Sequence, residues 1–179
     1  MKKFILVLTV LLGLSGASAQ AEAVFSHPID AATAAKNVPA FESTSCSFTQ
    51  QKFMKTSTAT IQSGGNFKFL KDKGVIFETT YPIHSTASYI GGQNKIVNAV
   101  IKSISSKNYT YLEKNFDIFY VPNAQNWVLA LKPKAQSELK GEMENIMIFG
   151  STINSKGLIN KIIIDTQSIK TTLQFTKCS

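Results

Sequence analysis

Alternation of apolar and polar residues across positions 46–82 is the feature that most constrains this fold. Apolar residues at every second position are typical of strands that bury one face. If the Asp-Lys-Gly segment between two of these strands forms a tight turn, one apolar and aromatic face results, carrying Phe67, Phe69, Val75 and Phe77. We therefore expect strands joined by glycine-containing turns, at 45–54, 59–63, 66–71, 75–81 and 85–90.

The second half of the chain shows the same periodicity. Trp127 and Leu129 alternate with Val128 and Ala130, so they fall on one apolar face. Ile162–Ile164 is apolar on both faces, which predicts a central strand covered on both sides. The strands expected here are 117–121, 127–131, 145–149, 158–165 and 169–176, with turns at Pro122-Asn123 and 154–157.

Three segments have helical character instead. Asp30 can cap a first helix over Ala31–Asn37, and a turn is expected at Gly91–Asn94. Apolar residues spaced i, i+3, i+4 and i+7 predict a second helix at 96–106, burying Val97, Val100, Ile101 and Ile104. Tyr109, Leu112 and Phe116 continue this spacing after Asn108, a residue suited to capping a helix. Both could be ordinary core helices, or they could cover the open side of a sheet.

The N-terminus has the form of an export signal. Lys2 and Lys3 precede the apolar run Phe4–Leu14, and Ala17-Ser18-Ala19 resembles a signal-peptidase site. We predict a signal peptide at 1–19 and a single domain at 20–179. A membrane span needs about 20 consecutive apolar residues, and no such run occurs in the sequence.

Cys46 and Cys178 are the two cysteines of the chain. An exported protein meets an oxidising compartment, so we expect a disulfide that ties an early strand to the last one. Closing so long a loop would stabilise the fold by roughly 4–5 kcal/mol in the chain-entropy model. The alternative is two unrelated thiols.

The charged residues argue against a nucleic-acid partner. All 19 basic residues are lysines, and the formal net charge is +8. Sequence-specific binding to nucleic acid depends heavily on the planar, bidentate guanidinium of arginine. The lysines could form an ordinary solvated surface, or they could attract anionic lipid headgroups weakly.

No catalytic, metal-binding or cofactor-binding motif is present. The two histidines, His27 and His84, lie far apart, and no nucleophile or phosphate-loop signature occurs. Glu142 and Glu144 belong to a charged run that we expect to face water. The sequence therefore favours a non-enzymatic protein with no metal and no cofactor. Two distant catalytic carboxylates, however, would leave no such pattern.

The order of these features resembles the LolA-like periplasmic outer-membrane lipoprotein carriers. Phe48-x-Gln50 is followed by a glycine-led alternating strand, a charged turn and Pro82, across about the middle half of the exported chain. A second match is Trp127-x-Leu129-x-Leu131-x-Pro133, followed by an isoleucine-rich strand. The resemblance implies a mainly β (α+β) fold, an unclosed antiparallel β half-barrel with short helices forming a lid over an apolar cavity.

The resemblance also implies a function. It suggests a monomeric carrier, located in the periplasm of a Gram-negative envelope, that binds acyl chains of lipoproteins and shuttles them from the inner to the outer membrane. An inner-membrane donor and an outer-membrane acceptor protein would then be its partners. The expected lipid-binding residues are Phe67, Phe69, Val75, Phe77, Trp127 and Leu129, and the expected lid residues are Val97, Val100, Ile101, Ile104 and Leu112.

One position departs from the family pattern. Where the founding carriers have an arginine that holds the lid closed, this chain has Lys71. Lysine offers a point charge in place of a planar fork, which puts a latch role for Lys71 in doubt.

Other functions fit the same pattern. The chain could carry another lipid, such as a glycolipid or an acylated intermediate, because an apolar cavity discriminates by only about 1–3 kcal/mol per methylene. From a different class, a sheet with one polar face could serve as an envelope stress sensor or an adhesion module.

Overall fold

The computed structural model describes residues 23–70, 74–88 and 93–179. The helices with both ends in these ranges are α1 (Ala31–Asn37), α2 (Gln93–Ser105) and α3 (Thr110–Asn115), and a 3-10 helix covers Glu138–Gly141. The strands are β1 (Thr44–Met54), β2 (Thr60–Leu70), β3 (Gly74–Tyr81), β4 (Ser85–Ser88), β5 (Phe116–Asn123), β6 (Asn126–Pro133), β7 (Asn145–Ile153), β8 (Lys156–Asp165) and β9 (Ile169–Thr176).

These strands form one antiparallel sheet in the order β4-β3-β2-β1-β9-β8-β7-β6-β5. The edge strands β4 and β5 are not paired with each other, so the sheet is open. The last strand, β9, lies between β1 and β8 and joins the two halves of the chain. The predicted fold class, a mainly β, unclosed antiparallel half-barrel with short helices, is confirmed.

Strand register places most of the buried apolar positions of the sheet on one face, called here the inner face. Phe67 pairs with Phe77, and Leu129 pairs with Ile148. Helices α2 and α3, called here the lid helices, bury their apolar residues in the same cluster as this face. Helix α2 contacts β3, and α3 contacts β5 and α1. The main core therefore lies between the inner face and the lid helices.

A smaller apolar cluster lies on the opposite face of the sheet. Phe119, Ala130 and Met147 form it, and the ring of Phe25 packs edge-on against Phe119 with 5.2 Å between centroids. Ile163 also packs there, while Ile162 and Ile164 face the main core. Strand β8 is thus covered on both faces, as its apolar run predicted.

The two predicted strands at 59–63 and 66–71 are one continuous strand, β2. The prediction of a turn at Gly64-Gly65 was wrong, because these glycines permit close packing of neighbouring strands. A Cβ atom at Gly65 would lie 1.9 Å from the carbonyl oxygen of Glu78. The register between β2 and β3 also shifts at this point, as in a β-bulge.

The predicted first helix is confirmed with its bounds. Asp30 caps it through a 2.7 Å hydrogen bond that its Oδ1 accepts from the backbone N–H of Thr33. Hydrogen bonds to Thr33 lower the pKa of the Asp30 carboxyl, since they favour its charged form.

Other boundaries differ from the predictions. Helix α2 already includes Gln93 and Asn94, which were predicted as part of a turn, while Gly91 and Gly92 lie outside the described residues. Tyr109 holds the position before α3, although Asn108 Oδ1 still accepts a 3.2 Å hydrogen bond from the backbone N–H of Thr110.

The predicted turn at Pro122-Asn123 was also wrong. These residues belong to β5, where they pair with Trp127 and Asn126, so the chain reverses in a two-residue loop. In that loop Ala124 has a positive φ of 52°. Proline is tolerated here because β5 is an edge strand and needs fewer ladder hydrogen bonds.

The Cys46–Cys178 disulfide is confirmed, with 2.06 Å between the sulfur atoms. Backbone hydrogen bonds of 3.0 and 2.9 Å between Ser45 and Ser179 lie beside it. The predicted signal peptide lies outside the described residues, as do Lys71, Asp72 and Lys73. None of the described helices has both the length and the apolar character needed to cross a membrane.

Candidate functional site

The six residues predicted to bind lipid all lie on the inner face, and each is at most 5% exposed. Phe67 and Phe69 on β2 stand opposite Phe77 and Val75 on β3. Trp127 and Leu129 extend the same surface from β6 in the other half of the sheet. The fold therefore brings these residues into one apolar cluster, and their contact with a lipid remains a prediction.

Four phenylalanines form an aromatic cluster at the β3-β2-β1-β9 side of the inner face. Phe48, Phe67, Phe77 and Phe175 have ring centroids 4.6–6.4 Å apart in their contacts. The sequence prediction did not include Phe48 and Phe175 in the site. Their alternation with polar neighbours on β1 and β9 was the signal that could have added them.

Trp127 forms the centre of the inner face on the other side. Its indole stacks on Phe41, with 5.6 Å between ring centroids. On β7, Gly150 lies so close that a Cβ atom there would be 2.0 Å from Trp127 Cζ2. Phe41 was not predicted to take part, since it lies between α1 and β1 in a segment without regular periodicity.

Two polar atoms are buried in this apolar interior without a hydrogen-bond partner, the hydroxyl of Tyr109 and the Nε1 of Trp127. Burial, with a smaller contribution from Tyr120, raises the pKa of Tyr109 far above its usual range. Burial also raises the pKa values of Tyr111 and Tyr120. All three phenols are therefore protonated at neutral pH and can donate hydrogen bonds.

The five predicted lid residues are buried against the inner face, at exposures of 4% or less. Val97, Val100, Ile101 and Ile104 form the apolar stripe of α2, and Leu112 comes from α3. This arrangement agrees with helices that cover the open side of the sheet. Whether these helices move remains a prediction.

Helix α2 is attached to the sheet by Asn98. Its Oδ1 accepts a 3.1 Å hydrogen bond from the backbone N–H of Val75, at the start of β3. Gly74 has a φ of +93°, and a Cβ atom there would come within 2.4 Å of Asn98 Oδ1. Glycine therefore permits both the backbone conformation and the approach of the helix. The helical pattern gave no reason to single out Asn98.

The turn between α2 and α3 is attached to α1 by Lys107. Its ammonium donates hydrogen bonds to the carbonyl oxygen of Ala35, at 2.9 Å, and to that of Val38. Burial lowers the pKa of Lys107, because removal from water disfavours the charged form. Cations at the C-terminal end of a helix are favourable there, since its last carbonyls lack partners within the helix.

In the part of the chain that the structure describes, side chains of the inner face and of the lid helices form one buried cluster. A gap of about 20 Å³ borders Phe41, Phe67 and Phe69. Surface grooves of about 390, 460 and 330 Å³ occur elsewhere, and none of the six predicted lipid-binding residues lines them. An acyl chain that reached these six residues would therefore have to displace the side chains that bury them.

The charged residues of the described ranges lie outside this interior. Lys55 Nζ pairs with Asp165 at 2.8 Å and with Glu144 at 3.2 Å, which links the turn after β1 to the end of β8. Across 23–70, 74–88 and 93–179, no three His, Cys, Asp or Glu side chains are grouped so as to hold a metal ion.

No protein-family model and no curated protein matches this sequence. The fold is similar to a LolA superfamily protein from Nitrosomonas europaea, with 10% identity, a TM-score of 0.41, and coverage of 84% of this chain and 93% of that one. The fold is also similar to a DUF1329 family protein from Desulfovibrio piger, with 9% identity and a TM-score of 0.40. This similarity covers 83% of this chain and 90% of that one.

A third similar structure is a domain from Vibrio parahaemolyticus that is described as an outer membrane lipoprotein-sorting protein domain. It has 6% identity and a TM-score of 0.37, and the similarity covers 85% of this chain and 91% of that one. One description names LolA and another names lipoprotein sorting. At these identities and TM-scores, the similarities concern the fold and assign no cargo or partner to this chain.

Proposed function

We propose that this chain is an exported, non-enzymatic carrier that binds acyl chains of lipoproteins between the inner face and the lid helices. It would take them from a donor at the inner membrane, cross the periplasm as a monomer, and release them to an acceptor at the outer membrane. One observation carries the proposal: the apolar residues of an open sheet and of two short helices form a single buried cluster. Such an arrangement can exchange helix side chains for acyl chains.

The energies support this exchange. Exposing Val97, Val100, Ile101 and Ile104 would cost roughly 6–12 kcal/mol, at about 1.5–3 kcal/mol for each side chain. Burying one palmitoyl chain would return about 12 kcal/mol, at about 0.8 kcal/mol for each methylene. Without cargo, the lid helices should therefore stay closed. A cargo with one or more acyl chains could hold them open.

The attachments of the lid helices fit a cover that opens. In the described part of the chain, Asn98 and Lys107 make the polar contacts from α2 and the following turn to the sheet and to α1. Apart from these few hydrogen bonds, apolar packing holds α2 on the sheet, while the end of α3 also accepts hydrogen bonds from Lys134. Apolar packing has little directional preference, so acyl chains can replace it.

Native purification from the envelope, followed by mass spectrometry of bound molecules, tests the proposal. We expect triacylated N-terminal cysteine peptides to accompany the folded protein. Free glycolipid or phospholipid would instead identify a carrier of another lipid. A folded protein that is recovered empty, and that also fails to bind an added fluorescent fatty acid, would contradict both kinds of carrier.

A further inference from the structure

The interior of this protein contains two hydrogen-bond donors that the chain itself leaves unused. Within 23–70, 74–88 and 93–179, the hydroxyl of Tyr109 and the Nε1 of Trp127 have no hydrogen-bond partner, and their residues are 4% and 2% exposed. Buried donors are almost always paired, because an unpaired one loses its bonds to water without replacement. Two such groups in one apolar core indicate a partner that comes from outside the chain.

The two donors belong to the same region. Tyr109 and Trp127 belong to the main apolar cluster, and Tyr120 packs against that cluster. Tyr120 and Trp127 in turn lie on the same face of neighbouring strands, since Tyr120 pairs with Leu129 and Pro122 pairs with Trp127. Such diagonal neighbours are about 7–8 Å apart. Tyr109 lies directly before the lid helix α3, whereas Trp127 lies on strand β6 of the sheet.

The surroundings limit the chemistry of the missing partner. Both donors are neutral, and Lys107, the lysine nearest to Tyr109 in sequence, directs its ammonium to carbonyl oxygens of α1. Burying an anionic headgroup here without a cation would be very costly. An uncharged acceptor, such as the carbonyl oxygen of an ester or an amide, meets no such penalty and can accept both kinds of hydrogen bond.

We propose that Tyr109 and Trp127 form a hydrogen-bonding site for the carbonyl groups through which acyl chains are attached to cargo. The ester or amide linkage would lie near the β5–β6 edge, and the chains would extend across the inner face toward the aromatic cluster. This inference rests on the proposed carrier function. It adds that the site selects acyl esters and amides over hydrocarbon chains of equal length.

The test compares a diacylglycerol with the dialkyl ether glycerol of the same chain length, which lacks both carbonyl groups. The wild-type protein should bind the ester about threefold to tenfold more tightly than the ether, as expected for one or two neutral hydrogen bonds. Tyr109→Phe and Trp127→Phe should each reduce this preference.

Tyr111→Phe is the matched control, since Tyr111 is a half-buried tyrosine in α3 whose hydroxyl is not among the unpaired groups. It should keep the preference of the wild type. Without lipid, Tyr109→Phe should be at least as stable as the wild type, because the change removes an unpaired donor. If the Tyr109 hydroxyl had a purely structural role, Tyr109→Phe would lose stability and keep the preference for the ester.

Two outcomes would overturn the inference while the carrier function stands. One is equal binding of ester and ether by the wild-type protein. The other is an ester preference that both Tyr109→Phe and Trp127→Phe retain in full. Failure of the folded wild type to bind either lipid would instead count against the carrier function, and the inference would fall with it.

Discussion

At the scale of single residues, the packing around Trp127 shows how little space the interior leaves. The indole lies between the ring of Phe41 and the backbone of Gly150, and it is 2% exposed. An aromatic ring fixed on both sides cannot shift easily to accept an added atom.

Gly150→Ala should therefore destabilise the protein by about 1–3 kcal/mol, the usual cost of overpacking a core. Denaturant unfolding measures this difference directly. Gly141→Ala is the matched control, since a Cβ atom at Gly141 would meet nothing within 4 Å, and its free energy of unfolding should change little. Equal stability of the two variants would show that Trp127 is not held as described.

Periodicity predicted residues of the site wherever regular elements carry them. Alternation placed Phe67 and Phe77 on one face, and helical spacing placed Val100 and Ile104 on another, and all four are buried together. Phe41 had no such signal, because only the tertiary fold brings its loop against Trp127. The role of Asn98, likewise, depends on its contact with the start of β3 and not on its spacing within the helix.

At the scale of secondary-structure elements, the attachment of α2 to β3 can be tested. Asn98→Ala removes the acceptor for the Val75 N–H without altering the apolar stripe of α2. We expect faster amide hydrogen exchange in Gln93–Ser105, while the β8 amides around Ile162–Ile164 stay protected. Lys95→Ala, at an exposed position of the same helix, should leave exchange unchanged. Unchanged exchange in Asn98→Ala would show that apolar packing alone holds the helix.

Lys55 connects two elements that are distant in sequence, and its contribution should depend on pH. Hydrogen bonding to Asp165, and then to Glu144, raises the pKa of Lys55 above its usual value. Because its pKa is higher in the folded protein, Lys55 contributes its whole stabilisation at pH values below its pKa in the unfolded chain. This stabilisation is lost as the pH rises through the pKa of Lys55 in the folded protein. The difference in stability between wild type and Lys55→Met should thus be constant from pH 6 to about 9 and shrink above about 10.4. A difference that persists undiminished at higher pH would show that charge is not its source.

Element boundaries were harder to predict than element types. Glycines mark turns in most sequences, yet Gly64 and Gly65 lie inside β2, where they permit close approach of β1 and β3. Sequence alone cannot separate these two uses, because both depend on the absent side chain. The bounds of α1 and β9, by contrast, agree with the prediction.

At the scale of the whole molecule, the disulfide joins the first strand of the sheet to the segment after the last strand. Cys178 follows β9, and Cys46 lies in β1, so the bond fixes the strand pair that connects the two halves of the sheet. Replacing both cysteines with serine should lower the free energy of unfolding by about 2–5 kcal/mol. Denaturant unfolding, together with alkylation of the wild type before and after reduction, measures this. Free thiols in the unreduced wild type would contradict the bond.

The inner face is buried in the described part of the chain, which sets the order of events in the proposed carrier. Because this face and the lid helices form one buried cluster, cargo must displace the lid helices before its chains can reach Phe67 or Phe77. Binding should therefore raise amide exchange in Gln93–Ser105 even though cargo is bound. A carrier with a preformed cavity would show the opposite, with exchange falling on binding.

Photocrosslinking with a diazirine-bearing palmitic acid analogue tests the central claim most directly. The account predicts saturable crosslinks, located by peptide mass spectrometry, on inner-face residues of β2, β3 and β6, among them Phe67, Phe77 and Leu129. Unlabelled palmitic acid should compete for them. Crosslinks confined to the opposite face of the sheet, around Phe119 and Phe25, or no saturable crosslink in the folded protein, would contradict binding between the inner face and the lid helices.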